Sequence, residues 1–246
     1  MRTVKLVIGF DGTRYEGWQS QKKGKTLQEV FEKALSQILK EKKVDLIGSS
    51  RTDSGVHAKG FVAHFRTHSV LKDAKIKDAL NYYIPRDILV YSAKTVSATF
   101  HARYGAKSKI YQYDIWCSKT RPLFEAPFAL WHPHALNLNK MKQAVRHFVG
   151  EHDFSAFYDK GGDMPKSAVR SIRRISIHKE ESMIRIQMEG SGFLRHMIRV
   201  IVGTLIEVGR GKLASQAIPG ILSSKDRSKA GSTAKAHGLT LLQVKY

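Results

Sequence analysis

Cysteine is almost absent from this chain, and that shortage excludes more than any other feature of its composition. The single Cys117 rules out an intramolecular disulfide and has no thiol companion for a cysteine-rich zinc site, so an intracellular, cytoplasmic protein is expected. Long apolar runs are missing too. The most apolar stretch, Phe193 to Val208, carries Arg195, His196 and Arg199 and is too short to span a bilayer. The opening MRTVKLVIGFDGT has only a brief apolar run and no small-residue cleavage site, so it does not read as a secretory signal. Gly24-Lys25-Thr26 imitates the end of a phosphate-binding loop, but Gln19 stands where that loop needs its leading glycine. His132 and His134 have no acidic or thiol ligand at useful spacing. No metal, cofactor or nucleotide site is therefore expected, which weighs against an RNA methyltransferase or a metal-dependent nuclease.

Acidic residues are the other deficit. Lys and Arg number 42 against 21 Asp and Glu, a formal charge of +21. The excess is spread evenly, +9 over residues 1–104 and +12 over residues 105–246, so it belongs to folded structure and not to a basic tail. Charge of this size and spread suits a surface that tracks a phosphate backbone. With 42% apolar residues in 246, the chain can bury a large core in one domain or two modest ones.

The apolar periodicity gives an order of elements. Val4, Leu6, Ile8 and Phe10 alternate as one face of a strand that ends at Asp11-Gly12. Thr26 and Glu29 form a capping-box pair ahead of the helical stripe Leu27, Val30, Phe31, Ala34, Leu35 and Ile38. Strands are expected at 44–48 and 61–67, a helix at 73–83 ending before Pro85, and a strand at 88–96. The second half repeats the pattern: a strand at 109–117, a helix at 138–149 closed by Gly150, strands at 169–178 and 183–189, an apolar helix from Phe193, a short helix at 213–222 and a last strand at 239–245. Each half reads strand-helix-strand-strand-helix-strand, the ferredoxin-like or split βαβ pattern. The expected class is α+β: two units, residues 1–104 and 105–246, with antiparallel or mixed sheets flanked by helices and a cleft completed by the second unit.

Several stretches carry chemistry. In Arg51-Thr52-Asp53-Ser54-Gly55-Val56-His57-Ala58 an extended backbone would turn Arg51 and Asp53 to the same side, a guanidinium keeping a carboxylate ionised. Most such surface pairs are solvated and of little energetic value. Arg14, Tyr15, Trp18 and Gln19, in FDGTRYEGWQ, are residue types that contact RNA, although Tyr15 and Trp18 serve equally well as core anchors. Tyr111 and Tyr113 share a strand face, where both can be core or one can bring a phenol to a cleft. Arg195 and Arg199 lie one helical turn apart in an apolar helix. The deeper Arg199 needs a carboxylate or phosphate partner, with Asp53 the favoured one. Gly161-Gly162, with Asp159, Lys160, Asp163 and Lys166, reads as an RNA-contacting loop. By composition and fold a non-catalytic RNA-binding protein fits equally well, and only Asp53 within its arginine environment argues for an enzyme.

Taken together, FDGTRYEGWQ, SSRTDSGVHAKGFVAHF, FHARYGAKSKIYQY, GFLRHMIRVIVGTLIEVG and STAKAHGLTL resemble the tRNA pseudouridine synthase A family, in order and over nearly the whole chain. The resemblance implies the pseudouridine synthase fold and isomerisation of uridine to pseudouridine at positions 38, 39 or 40 of the tRNA anticodon arm. It implies a homodimer in which each tRNA bridges both subunits, with no cofactor. It makes Asp53 the nucleophile, Tyr111 its active-site partner, Arg51 a residue that helps displace the target base, Arg199 the ion-pair partner of Asp53, and Leu239 part of the pocket wall. Arg14, Gln19, His57 and Arg103 join Tyr111 and Leu239 as candidate substrate contacts. Ser49, Ser50, Phe10 and Ile110 depart from the residues usual in that family, and none of these departures removes a reacting group.

Overall fold

The computed structural model describes residues 1–159 and 167–246 and divides the chain into two compact units. Of the glycine-rich loop read at 159–166, all but Asp159 lies outside the described residues. The first unit comprises Met1–Lys107 together with Thr240–Tyr246, and the second Ser108–Leu239.

In the first unit the elements are β1 (Arg2–Phe10), α1 (Leu27–Leu39), β2 (Ile47–Gly48), β3 (His57–Thr67), α2 (Asp73–Tyr83) and β4 (Ile88–Val96). The sheet runs β4-β1-β3, with both neighbours antiparallel to β1 and β2 beside β3. This is the ferredoxin-like arrangement expected from the element order. Val4, Leu6 and Ile8 point into the core and are fully buried. Thr26 caps α1, its side chain accepting from the Glu29 backbone and donating to the Glu29 carboxylate at 3.0 Å. Leu27, Phe31 and Leu35 then turn inward.

Three expectations change here. The strand read at 44–48 shrinks to Ile47–Gly48. Val44 and Leu46 are buried all the same, and α1 supplies their section of chain with polar partners: Leu46 N–H donates to Glu32 at 3.1 Å and its carbonyl accepts from Gln28 at 3.2 Å. Strand β3 starts at His57, earlier than position 61, because Gly60 lets another backbone come close: a β-carbon there would strike the Leu242 carbonyl oxygen. That neighbour belongs to β10 (Leu239–Lys245), which runs parallel to β3 at Thr240↔His57 and Leu241↔Ala58. Lys107 N–H also donates to Lys245 O at 2.8 Å, and the Tyr246 hydroxyl to Ala102 O at 2.7 Å. These bonds are why residues 240–246 group with the first unit and not, as the pattern suggested, with the second.

The second unit holds β5 (Ser108–Cys117), β6 (Leu130–His132), α3 (Leu138–Val145), β7 (Gly150–Asp153), β8 (Val169–Glu180), β9 (Met183–Gly190), α4 (Met197–Gly209) and α5 (Ile218–Ser224). Its sheet runs β5-β9-β8-β7 in antiparallel pairs, with β6 parallel to β5. Helix α3 stops at Val145 and tightens into a 3₁₀ turn at Arg146–Phe148, which sinks Phe148 edge-on against Phe157 at 5.1 Å. Gly150, with φ +107°, opens β7 instead of capping the helix. Along α4 only Arg199 and Glu207 escape full burial. No helix among the described residues is long and apolar enough to cross a membrane.

One glycine decides how closely α4 is covered. A β-carbon on Gly203 would collide with the Ser232 carbonyl oxygen, and the next turn is tied down where Gly231 N–H donates to Thr204 Oγ1 at 2.9 Å. Gly203→Ala is therefore expected to lower the unfolding free energy by on the order of 3 kcal/mol, read from urea melts against the parent protein. An unchanged midpoint would show that the 231–234 segment is not pressed onto the helix.

Candidate active site

Asp53 stands at the head of a tight turn. Its carbonyl accepts Val56 N–H at 3.2 Å, and Gly55 supplies the left-handed φ, +75°, that such a turn demands at its third position. The turn is gripped by the loop that follows β1. Trp18 N–H donates to Thr52 O at 3.1 Å, Gly55 N–H donates to Tyr15 O at 3.3 Å, and Ser54 Oγ donates to the same Tyr15 carbonyl at 3.2 Å. Two glycines make this grip possible. A β-carbon on Gly17, whose φ is +88°, would strike Thr52 O, and one on Gly12 would strike Val56 O. The peptide before Asp53, the Ser54 hydroxyl and the peptide after Ser54 are thus fastened to a second stretch of backbone. The Asp53 side chain is half-buried, Arg51 is exposed, and Thr52 Oγ1 is buried without a hydrogen-bond partner among the described residues.

The gripping loop has its own foundation. Trp18, 1% exposed, stacks on Phe61 at 4.0 Å and leans on Phe31. Tyr15 is 2% exposed and donates its hydroxyl to Asp87 at 2.7 Å. Of the two roles open to these aromatics, both take the core one. Arg14 donates to the same carboxylate through Nε and Nη2, at 2.9 and 2.7 Å. Burial works against ionisation of Asp87, but the hydrogen bonds from Tyr15 and Arg14 outweigh it and hold the carboxyl below its ordinary range. Burial first, and then the Asp87 bond, push the Tyr15 phenol well above its ordinary value. Gln19 donates to Gln28 on α1 at 2.7 Å. His57 is buried, with Nδ1 accepting Gly12 N–H at 3.1 Å, so its ring braces the turn after β1.

In the second unit, Tyr111 on β5 is 8% exposed and meets Phe193 edge-on at 5.4 Å. Tyr113, on the same strand face, donates its hydroxyl to Lys235 O at 2.7 Å. Burial raises its phenol well above the ordinary value, and Arg199 opposes that shift. Arg199 lies in the first turn of α4 and exchanges two bonds with Ala234: its Nε donates to Ala234 O at 2.7 Å, and its carbonyl accepts Ala234 N–H at 3.1 Å. Just ahead of the helix, His196 has φ +59° and its Nδ1 lies 2.8 Å from Asp159. Leu239 is buried at the start of β10. The segment 231–239 therefore orients Arg199, anchors Tyr113 and carries Leu239. Asp53 and Arg51 belong to one unit, and Tyr111, Arg199 and Leu239 to the other. Among the described residues no cluster of His, Cys, Asp and Glu could hold a metal ion.

Arg103 stands apart on the loop after β4. Its backbone N–H and that of Tyr104 both donate to His101 Nδ1 at 3.1 Å, and Ala102 N–H donates to Nδ1 of the buried His64 at 3.2 Å. Sequence reasoning overlooked Asp87 and His64. Nothing in local spacing marks either, since their partners lie far off in the chain.

A family model described as tRNA pseudouridine synthase matches residues 6–105 and 144–246. Among curated relatives, the tRNA pseudouridine synthase A of Ruminiclostridium cellulolyticum is 47% identical over the full length of both chains, and that of Acetivibrio thermocellus is 45% identical, again over both in full. The enzyme of the same name from Geobacillus kaustophilus is 40% identical over 99% of this chain and 94% of its own.

The loop clamp on His64 has a pH signature. Burial first, then His101 and Arg66, hold its imidazole down to about 4. The unfolded ring takes up a proton near pH ~6.5, so between these values the unfolded state binds more protons. The stability that neutral His64 contributes is complete above pH ~6.5 and is lost as pH falls towards 4, to the extent of on the order of 3 kcal/mol. His64→Gln can still accept the Ala102 N–H and is expected to flatten that limb in urea melts taken across the range. An acid limb of unchanged slope would contradict the assignment.

Proposed function

The chain belongs to the tRNA pseudouridine synthase family and isomerises uridine to pseudouridine in tRNA; from that premise we propose that its targets lie in the anticodon arm, at positions 38, 39 or 40, and that Asp53 is the nucleophile. The observation that carries the nucleophile reading is the grip on the Asp53 turn. A half-buried carboxylate on backbone fastened from both sides is preorganised, so little need reorganise when it attacks.

Uridine and pseudouridine contain the same atoms, so the reaction closes without a co-substrate. The carboxylate of Asp53 adds to the nucleoside, at C1′ or at C6 of the ring. The C1′–N1 bond breaks, the uracil turns, C1′ joins C5, the bond to Asp53 breaks and returns the free carboxylate, the C5 proton leaves and N1 gains one. Tyr111 is the proton acceptor or relay for C5. Arg199 is the residue that the family resemblance assigns as the counter-charge to Asp53, and its own guanidinium is held in a fixed orientation by Ala234. Arg51, exposed beside the turn, displaces the target base, and Leu239 walls the pocket. Unstacking that base costs a few kcal/mol, which phosphate contacts spread over a +21 chain offset. Arg14 and Arg103, both exposed, are suited to such contacts, with Gln19 and His57 supporting the loop that carries Arg14.

The active form is a homodimer, with each tRNA bridging both subunits. Leu123, Phe124, Phe128 and Trp131 leave apolar surface exposed that a second copy can cover. A cytoplasmic location accords with the lone thiol.

Asp53→Ala is expected to abolish tritium release from tRNA labelled at uridine C5 while tRNA affinity stays within about an order of magnitude. Retained release would end the nucleophile assignment. Tyr111→Phe is expected to bind without turning over, and a normal rate in single-turnover assays would reduce Tyr111 to a packing residue.

A further inference from the structure

The loop after β4 ends in a construction that the reaction chemistry leaves unused. Three rings follow one another from core to solvent: His64, 3% exposed, then His101 at 5.0 Å from it, then Tyr104 at 4.5 Å from His101 and 79% exposed. The mount is rigid. His101 Nδ1 accepts two backbone N–H groups, Gly105 N–H donates to His101 O at 2.9 Å, and Tyr246 fastens Ala102 from the far side while packing on Phe100 at 4.9 Å. Cations surround it. The Arg103 guanidinium lies 5.6 Å from the Tyr104 ring centre, and Lys5 lies 5.7 Å from that of Phe100. Arg66 reaches back to Ala98 O.

An exposed aromatic side chain is common and usually inert. Tyr82 and Tyr83, at the end of α2, are exposed as well, but they rest edge-on against each other. At Tyr104 an exposed ring backed by His101 coincides with a prefixed loop and with positive charge on and beside it, and an unpaired nucleobase with its phosphates is the ligand that uses all three. A prefixed ring also loses little freedom when it is covered.

We propose that Tyr104 is a stacking platform for an unpaired base of the bound tRNA, with Arg103 holding an adjoining phosphate. The proposal rests on the reading of the chain as an enzyme of the anticodon arm and adds a second point of grip away from Asp53.

The test uses Tyr104→Trp as a reporter, its fluorescence compared with that of the parent protein as two RNAs are added: an anticodon stem-loop, and a blunt duplex of equal length without unpaired bases. Quenching by the stem-loop beyond that by the duplex is expected. Tyr104→Ala is expected to raise KM for tRNA roughly ten-fold, with a smaller change in kcat and an unaltered melting temperature, and Tyr104→Phe to restore KM. Equal quenching by both RNAs, or a parental KM for Tyr104→Ala, would overturn the platform. So would a subunit dissociation caused by Tyr104→Ala, which would give the ring to a second copy of the chain. The quenching assay does not depend on catalysis. Quenching without tritium release from the parent protein would overturn the anticodon-arm reading and leave the platform standing, whereas release without quenching would do the reverse.

Discussion

Everything proposed for Asp53 depends on how closely two stretches of backbone approach one another. Gly12 and Gly17 have no β-carbon, and without that freedom the loop after β1 could not lie on the Thr52–Val56 turn. The approach lets Trp18 and Tyr15 hold the turn through main-chain atoms while their rings sit in the core. A carboxylate carried on an exposed turn would ordinarily sample many positions. Here its neighbours on both sides are bonded to a loop that is itself pinned by the Trp18–Phe61 stack and by the Asp87 carboxylate. Rigidity thus passes from the apolar core to a polar atom near the surface in two steps, packing and then hydrogen bonding.

The second unit solves a similar problem for a cation. A guanidinium on a helix buried almost all round must be given direction, and main-chain bonds exchanged with Ala234 do so. The segment that provides them can lie along α4 only because Gly203 leaves room, and the Tyr113 hydroxyl secures its next peptide. Tyr111 and Tyr113, two residues apart and both buried, therefore differ in use. Tyr113 serves the scaffold, and Tyr111 is the phenol proposed for the reaction.

Much of this was legible in the residues, and the exceptions have physical causes. Helix α2 and strands β4 and β10 fall where periodicity and Pro85 put them, since each is a local amphipathic pattern with a clear stop. The ferredoxin-like order of the first unit follows from the same patterns. Where tertiary bonds decide, local signals mislead: the chain before β2 satisfies its backbone on α1, and α3 gives up its last turn to bury Phe148. The allegiance of residues 240–246 to the first unit is set by Gly60 and by bonds to Ala102 and Lys107, which no spacing reveals. At the candidate site the motif around Asp53 was visible, but its support was not. Asp87 lies more than seventy residues from the two side chains it fixes, and no short pattern links them.

The central claim is that the backbone held beneath Asp53 sets the rate of the reaction. Gly17→Ala tests it most directly, because the new methyl group would push Thr52 away without touching any reacting atom. The expected result is a folded protein that binds tRNA normally and releases tritium from C5-labelled uridine on the order of a hundred-fold more slowly. A folded Gly17→Ala protein turning over at the parental rate would contradict the account.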